Sequence, residues 1–274
     1  MPNPKIASHP FGALACFVVL AYGLFWVVEV PANLADRGML HVHVSPKLLV
    51  MAQVAPALAA LLTVGWFQGR GAVKALLDPI ARVKVSYRWY ALVLFGPFVA
   101  WALAMLAYRL IGRPVPALGE WSDTPILIVL GAPLCLGEEL GWRGFLLDRL
   151  MQRNSLLVAT GWIAFWWGIW HLPVHLVPNN GWWFILFLTS MFPVSAVFTF
   201  VYVRTRSVFL CVLLHASIDA GGNYWLAPLP QGDLLYLGLM DAVLWLAAIP
   251  VLVALAKSPK PVSGKDTELG ETAS

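Results

Sequence analysis

The sequence predicts an all-α protein: a polytopic bundle of about eight transmembrane helices. The amino-acid composition predicts that the protein lies in a membrane. Of the 274 residues, 60% are hydrophobic and 12% are charged, and a typical soluble domain has about twice that charged fraction. The mean hydropathy of +0.76 is equally high. Most of the chain therefore requires lipid around it, and an α-helical bundle satisfies the backbone polar groups there.

Apolar segments recur along the chain, most of them close to the ~20 residues that a helix needs to cross the hydrocarbon core. They cover residues 11–30, 48–68, 89–112, 124–147, 156–176, 182–203, 207–222 and 234–256. The first is expected to end at Glu29 and Pro31, and the seventh is short. Residues 1–256 are therefore expected to form one transmembrane domain, followed by a disordered cytoplasmic tail, residues 257–274.

Basic residues gather in alternate connections between these segments. They are Arg70, Lys74, Arg82, Lys84, Arg88, Arg149, Arg153, Arg204, Arg206 and Lys257. Because cytoplasmic loops carry an excess of lysine and arginine, both termini are predicted to be cytoplasmic. The expected location is a bacterial plasma membrane, with the lipid bilayer as a partner. These loops account for the net charge of +4, so no nucleic-acid partner is predicted.

The three cysteines, Cys16, Cys135 and Cys211, all lie inside apolar segments. Their number is odd, and their spacing matches neither a disulfide framework nor a zinc ribbon. We expect them to be small buried hydrophobic residues.

Ionisable side chains inside the spans are few, and each costs roughly 2.5–3.5 kcal/mol at the bilayer centre on insertion scales. They are Glu138, Glu139, Arg143, His171, His215 and Asp219. Glu139 and Arg143 are four residues apart, so they share a helix face and can pair. His215 and Asp219 share a face for the same reason. Glu138 lies on an adjacent face and has no obvious partner at helical spacing.

His171 closes the fifth segment, shortly before Pro173, where the helix is expected to kink or stop. His175 is therefore expected in the loop after this helix. A rise of 1.5 Å per residue places His171 nearer the outer face than Glu138 by roughly 10 Å. Carboxylates and imidazoles are the groups that activate water, so this combination favours a catalytic site over a purely structural one.

In order and spacing, these residues resemble the CPBP family of CAAX-prenyl and bacteriocin-processing intramembrane proteases. The family pattern is Glu-Glu-x-x-x-Arg, then Phe-x-x-x-His, then His-x-x-x-Asn or Asp. It occurs here as Glu138-Glu139-x-x-x-Arg143, Trp167-x-x-x-His171 and His215-x-x-x-Asp219, and the resemblance covers roughly residues 120–225. Trp167 stands where the family has phenylalanine, and this difference is expected to have only a mild effect on the site. Asp219 replaces the amide of the Ras-converting prenyl endopeptidase.

The resemblance implies an intramembrane endopeptidase that acts on a peptide or protein substrate at the membrane. It implies that Glu138 and His171 activate a water and that His215, with Asp219 beside it, stabilises the oxyanion. Glu139 and Arg143 would then hold the helix geometry. An ionised carboxylate cannot donate to an oxyanion, so Asp219 either orients His215 or is protonated.

The implied mechanism is of the glutamate type and requires no cofactor. Zn²⁺ held by Glu138, His171 and His215, with Asp219 beside them, is the alternative, because histidine and carboxylate are usual zinc ligands.

Two other classes of function compete with the protease. One is a non-proteolytic membrane scaffold, such as a bacteriocin self-immunity protein, although every acidic and histidine position of the pattern is filled here. The other is a small transporter with Glu138 and Asp219 as proton relays, although the sequence has no internal inverted repeat that we can detect. Substitution of Glu138 by alanine distinguishes a protease, which would lose cleavage, from a scaffold.

Overall fold

The computed structural model describes residues 10–115, 121–175, 181–225 and 233–258, and every regular element in these ranges is helical. The α-helices are α1 (Pro10–Asp36), α2 (Pro46–Ala52), α3 (Ala55–Gln68), α4 (Arg70–Leu77), α5 (Tyr87–Leu110), α6 (Thr124–Glu139), α7 (Asp148–Met151), α8 (Leu156–Trp170), α9 (Leu172–His175), α10 (Trp182–Thr205), α11 (Val208–Trp225) and α12 (Leu234–Lys257). The predicted all-α bundle is confirmed. The expected tail lies outside the described residues from residue 259 onward.

Five helical segments in the described ranges are long and apolar enough to cross a membrane. They are α1, α5, the continuous segment Thr124–Met151, α10 and α12. Helices α2 and α3, which meet at a bend of 49°, add a sixth if they count as one broken span. Helices α8 and α11 are apolar but shorter. All eight expected segments are therefore helical, and five or six of them have the length of a span.

Helix α1 does not end at Glu29 and Pro31, as the sequence suggested, but continues to Asp36 with Pro31 inside it. Proline removes one backbone hydrogen bond from a helix. Asn33 adds one to the same turn, because its side-chain amide donates to the carbonyl oxygen of Glu29 at 2.9 Å. This bond does not replace the one that Pro31 removes, because the carbonyl left without its donor is that of Val27.

The segment Thr124–Met151 changes its hydrogen-bonding pattern midway. Helix α6 continues without a break into a π-helix, Leu140–Leu147, and then into α7. All eight residues of the π-helix are buried. A π-helix bonds residue i to residue i+5, and such turns are frequent at functional sites.

Two glycines allow α3 to approach this segment closely. A Cβ atom on Gly137 would lie 2.7 Å from the Cα atom of Val54, and one on Gly141 would lie 2.6 Å from the carbonyl oxygen of Pro56. Only a residue without a side chain fits at such distances. On another side, α6 packs against α11, while α8 packs against α10. The middle of Thr124–Met151 is thus enclosed by neighbouring helices.

Candidate active site

The six ionisable residues singled out in the sequence come from three parts of the fold. Glu138 and Glu139 are the last two residues of α6, and Arg143 lies just beyond them in the π-helix. His171 is the C-cap residue of α8, while His215 and Asp219 lie in α11. Packing of these helices places all six in one cluster, in which each has at least one of the others within 4.0 Å.

The carboxylate of Glu138 faces Trp167 of α8 and His171, the residue that caps α8. The indole N–H of Trp167 donates to Oε2 of Glu138 at 2.8 Å. Nε2 of His171 lies 4.0 Å from the same oxygen. Nδ1 of His171 contacts the carbonyl oxygen of Trp167 at 2.8 Å. Since a carbonyl only accepts, Nδ1 carries the proton, and in the neutral ring Nε2 offers its lone pair towards Glu138.

The expected offset of roughly 10 Å in depth between Glu138 and His171 is wrong. The segment Thr124–Met151 has 28 residues, which gives a length of about 42 Å against a hydrocarbon core of about 30 Å. A helix of this length extends beyond the core or is tilted, so residue counts from Thr124 and Leu156 do not give the relative depth of the two side chains, which lie 4.0 Å apart.

Glu139 and Arg143 form a fully buried ion pair, as their spacing predicted. Nη1 of Arg143 donates to Oε1 of Glu139 at 2.7 Å, and both side chains are 0% exposed. The guanidinium also lies over two aromatic rings, 4.1 Å from the ring centre of Trp167 and 3.9 Å from that of Phe198. Cation–π contacts of this kind stabilise a desolvated cation.

His215 is oriented by Glu139. Its Nδ1 donates to Oε1 of Glu139 at 2.9 Å, so one carboxylate oxygen accepts from both His215 and Arg143. Oδ2 of Asp219 is 3.8 Å from Nε2 of His215, which is beyond hydrogen-bond distance. The alternative in which Asp219 orients the ring therefore does not match this geometry. Asp219 instead lies near Nε2, the ring nitrogen of His215 that points away from Glu139.

The helix containing His171 stops where expected, since α8 ends at Trp170 and Pro173 lies in the short helix α9. His175 does not sit in an open loop. It is the last residue of α9, and its ring packs on Trp183 and Phe187 of α10 at centroid distances of 4.3 and 4.2 Å. The rings of His171 and His175 are 6.0 Å apart, so His175 belongs to the aromatic packing beside the cluster.

Sequence reasoning missed two members of the cluster. Trp167 was treated as a mild replacement for phenylalanine, yet its N–H is the hydrogen-bond donor to Glu138, which a phenylalanine cannot provide. Cys135 is buried, as expected, and in addition its thiol donates to Oδ2 of Asp219 at 3.6 Å. One available signal was position, because Cys135 precedes Glu139 by four residues and so points to the same face of α6.

The side chains that come closest to a metal-ligand arrangement are not the expected ones. Among the described residues, the group with three candidate ligand atoms within 4.8 Å of one another is Cys135, His215 and Asp219. The expected zinc set of Glu138, His171 and His215 is not such a group. Within that set, Oε2 of Glu138 and Nε2 of His171 face each other at 4.0 Å.

Comparison with known proteins supports the motif assignment. Residues 120–221 match the family model described as type II CAAX prenyl endopeptidase, Rce1-like. The resemblance to the CPBP family is confirmed. The matched segment contains all six residues of the cluster as well as Cys135 and Trp167.

A curated protein similar to part of this chain comes from the archaeon Methanococcus maripaludis. The chain is 32% identical over 92 residues to its CAAX prenyl protease 2. The alignment covers 30% of this chain and 34% of the relative. The chain therefore spans about a third of the length of the curated relative that it matches.

Proposed function

We propose that this protein is an intramembrane endopeptidase of the glutamate type. The observation that carries the proposal is the placement of Oε2 of Glu138 4.0 Å from Nε2 of His171, midway along the segment Thr124–Met151. A water that donates to both atoms at about 2.8 Å would lie beside the line that joins them. Carboxylate and imidazole are the side chains that most often activate water by general base catalysis.

The reaction begins with the water held between these two side chains. Glu138 accepts a proton from it while Nε2 of His171 orients it, and the water oxygen forms a bond to the peptide carbonyl carbon. The proton then passes from Glu138 to the leaving nitrogen as the carbon–nitrogen bond breaks. Glu138 returns to its starting form, so the protons balance over one turnover.

His215 is proposed to stabilise the negative oxygen of the tetrahedral intermediate. Glu139 anchors Nδ1 of His215, which directs Nε2 towards the open side of the cluster. In the imidazolium form, Nε2 donates a hydrogen bond to the oxyanion, and a preorganised donor in a site without bulk water is worth several kcal/mol. Asp219 is proposed to lie next to this oxyanion position and, when protonated, to donate to it.

Trp167 and the buried ion pair are proposed to position these groups. The indole N–H holds Oε2 of Glu138, and Arg143 holds the Glu139 carboxylate that in turn holds His215. If zinc were instead bound by Glu138, His171 and His215, it would supply Lewis-acid polarisation of the carbonyl. We propose the metal-independent route because Glu138 and His171 face each other directly.

We also propose the location: a bacterial plasma membrane with both termini in the cytoplasm. The support is the basic connection between α3 and α5, which includes Arg70, Lys74 and Arg82. A reporter fused after Lys257 tests this orientation. Activity of a reporter that works only outside the cytoplasm would contradict it.

The first substrate to test comes from the printed name of the relative, a CAAX prenyl protease. We propose a prenylated peptide ending in a CAAX sequence, compared with the same peptide without the prenyl group. Purified full-length protein is assayed beside the variants Glu138→Gln and Glu29→Gln. Glu29 is the matched control, because it is a carboxylate buried within α1 and outside the cluster.

Glu138→Gln is expected to lower kcat/KM for cleavage by about 10²- to 10⁴-fold, the usual contribution of a general base. Glu29→Gln is expected to retain cleavage. A chelator is expected to change neither result. Equal cleavage by wild type and Glu138→Gln would exclude the glutamate mechanism, and loss to chelator with recovery on added Zn²⁺ would replace it by a metal-dependent one.

A further inference from the structure

The hydrogen bond between Cys135 and Asp219 is one edge of a triangle of metal-ligating atoms between α6 and α11. Sγ of Cys135 lies 3.6 Å from Oδ2 of Asp219. Nε2 of His215 lies 3.8 Å from the same oxygen, and all three atoms fall within 4.8 Å of one another. Ligands at tetrahedral angles around zinc are about 3.3–3.6 Å apart, given zinc–sulfur, zinc–nitrogen and zinc–oxygen bonds of about 2.0–2.3 Å. Small side-chain rotations bring the triangle to that size.

The ring of His215 is already held in the orientation that a metal requires. Nδ1 donates to Glu139, which in turn is bound by Arg143. The neutral ring therefore carries its proton on Nδ1 and has a free lone pair on Nε2. A histidine that binds a metal almost always donates its other N–H to a carboxylate or carbonyl in this way, which fixes both the tautomer and the ring orientation.

Charge also favours a divalent cation at this position. Binding displaces the thiol proton of Cys135 to solvent and, from the imidazolium form, also the Nε2 proton of His215. The thiolate and the Asp219 carboxylate then contribute two negative charges against two positive ones. The loaded site with a neutral His215 is therefore neutral, which matters where an unbalanced charge is costly. Thiolate and imidazole select zinc and related soft cations over magnesium or calcium.

The triangle is open on one side. Cys135 and His215 are buried, whereas the side chain of Asp219 is 56% exposed. A cation can therefore reach the site past Asp219. Three protein ligands leave a fourth tetrahedral position vacant for water or another small ligand.

We propose that Cys135, His215 and Asp219 form a binding site for a thiophilic divalent cation, with zinc as the ligand, separate from Glu138 and His171. Occupation of Nε2 of His215 by the cation removes the proton that this atom donates to the oxyanion. Zinc at this site is therefore an inhibitor of cleavage. The inhibitory consequence rests on the proposed protease function, whereas the binding site does not.

Cobalt(II) is the probe for binding, because a cobalt–thiolate bond absorbs in the near ultraviolet and needs no cleavage assay. Purified full-length protein is titrated with Co²⁺ beside Cys135→Ser, Cys135→Ala and the control Cys211→Ser. Cys211 is a matched control, since it is a buried cysteine of α11 whose sulfur is not part of the triangle. Gel filtration and the helical circular dichroism signal confirm that each variant is folded.

Wild type and Cys211→Ser are expected to develop the thiolate absorption at one equivalent of Co²⁺ and to lose it on addition of Zn²⁺. Both Cys135 variants are expected to lack the absorption. Loss of a residue that only supports a metal ligand lowers metal affinity roughly 10- to 100-fold. The Cys135 variants lose a ligand itself, so their affinity for Co²⁺ should fall by a larger factor. Absence of the absorption in wild type, or its persistence in either folded Cys135 variant, overturns the site.

The inhibitory consequence has its own measurement. Zinc is expected to inhibit peptide cleavage by wild type and Cys211→Ser, whereas the cleavage rate of Cys135→Ser with zinc should equal its own rate without zinc, because this variant lacks the thiolate ligand. Equal inhibition of all three by zinc would show that the inhibitory ion binds elsewhere. Cobalt binding without any cleavage by wild type would retain the metal site and remove the proposed function.

Discussion

The ion pair between Glu139 and Arg143 offers a quantitative test of the site. Both side chains are 0% exposed and are joined at 2.7 Å. Glu139→Gln leaves a buried guanidinium without its counter-ion, and Arg143→Met leaves a buried carboxylate. Removal of one partner of a buried pair costs about 3–5 kcal/mol, whereas replacement of both by uncharged groups is often close to neutral. Each single variant should therefore be far less stable than the double variant.

The free energy of unfolding in detergent, followed by the fluorescence of the 14 tryptophans, measures this difference. With single costs of about 3–5 kcal/mol each and a double variant close to neutral, the coupling between the two substitutions is expected to be about 6–10 kcal/mol, well above the range of about 0.5–3 kcal/mol that is usual for residues in contact. Asp148→Asn is the control, because it breaks the pair with Arg206, which has a similar distance of 3.2 Å but is 40–46% exposed. That change should cost at most about 1 kcal/mol. Additive effects at positions 139 and 143, or single costs as small as the control, would refute the coupling of the buried pair.

Two further substitutions test the packing around the carboxylates. Trp167→Phe keeps an aromatic ring but removes the donor to Glu138. Because a hydrogen bond to a charged group is worth about 1.5–3 kcal/mol, kcat/KM for cleavage should fall about 10- to 150-fold, and an unchanged value would contradict the positioning role. Gly141→Ala places a Cβ 2.6 Å from the carbonyl oxygen of Pro56 and should destabilise the fold by about 1–3 kcal/mol. Gly131→Ala is the control, because its Cβ would meet nothing within 4 Å. This change should stabilise the fold by about 0.5–1 kcal/mol. Equal effects of the two glycine changes on the free energy of unfolding would contradict the close approach of α3.

Interactions within one helix could be predicted from the sequence, and those between helices could not. The pair of Glu139 and Arg143 is expected from a spacing of four residues. The hydrogen bonds from Trp167 to Glu138 and from His215 to Glu139 join residues 29 and 76 positions apart. They depend on how α8 and α11 dock against α6, and hydrophobic periodicity carries no information about that docking.

Cys135 is buried as expected, but neither its contact with Asp219 nor the depth of Glu138 could be read from the sequence. Hydropathy locates a span but does not say how far its helix extends beyond the hydrocarbon, so the depth of Glu138 was misjudged. Rules for metal-binding cysteines look for ligands repeated at short intervals along the chain. Here the candidate ligands lie on two helices, with Cys135 on α6 and His215 and Asp219 on α11, so that rule could not detect them.

The π-helix Leu140–Leu147 makes the cluster tolerant of a change in length at this one place. A π-turn contains one residue more than an α-turn, so deletion of a single residue here would restore the ordinary pitch and leave the helix on either side in its orientation. Glu138 and Glu139 would then still face Trp167 and His215. A one-residue deletion in the α-helical part of α6 would instead rotate the residues before it by about 100° relative to the residues after it. In alignments of related sequences, a one-residue gap between Arg143 and Asp148 is therefore compatible with an unchanged site.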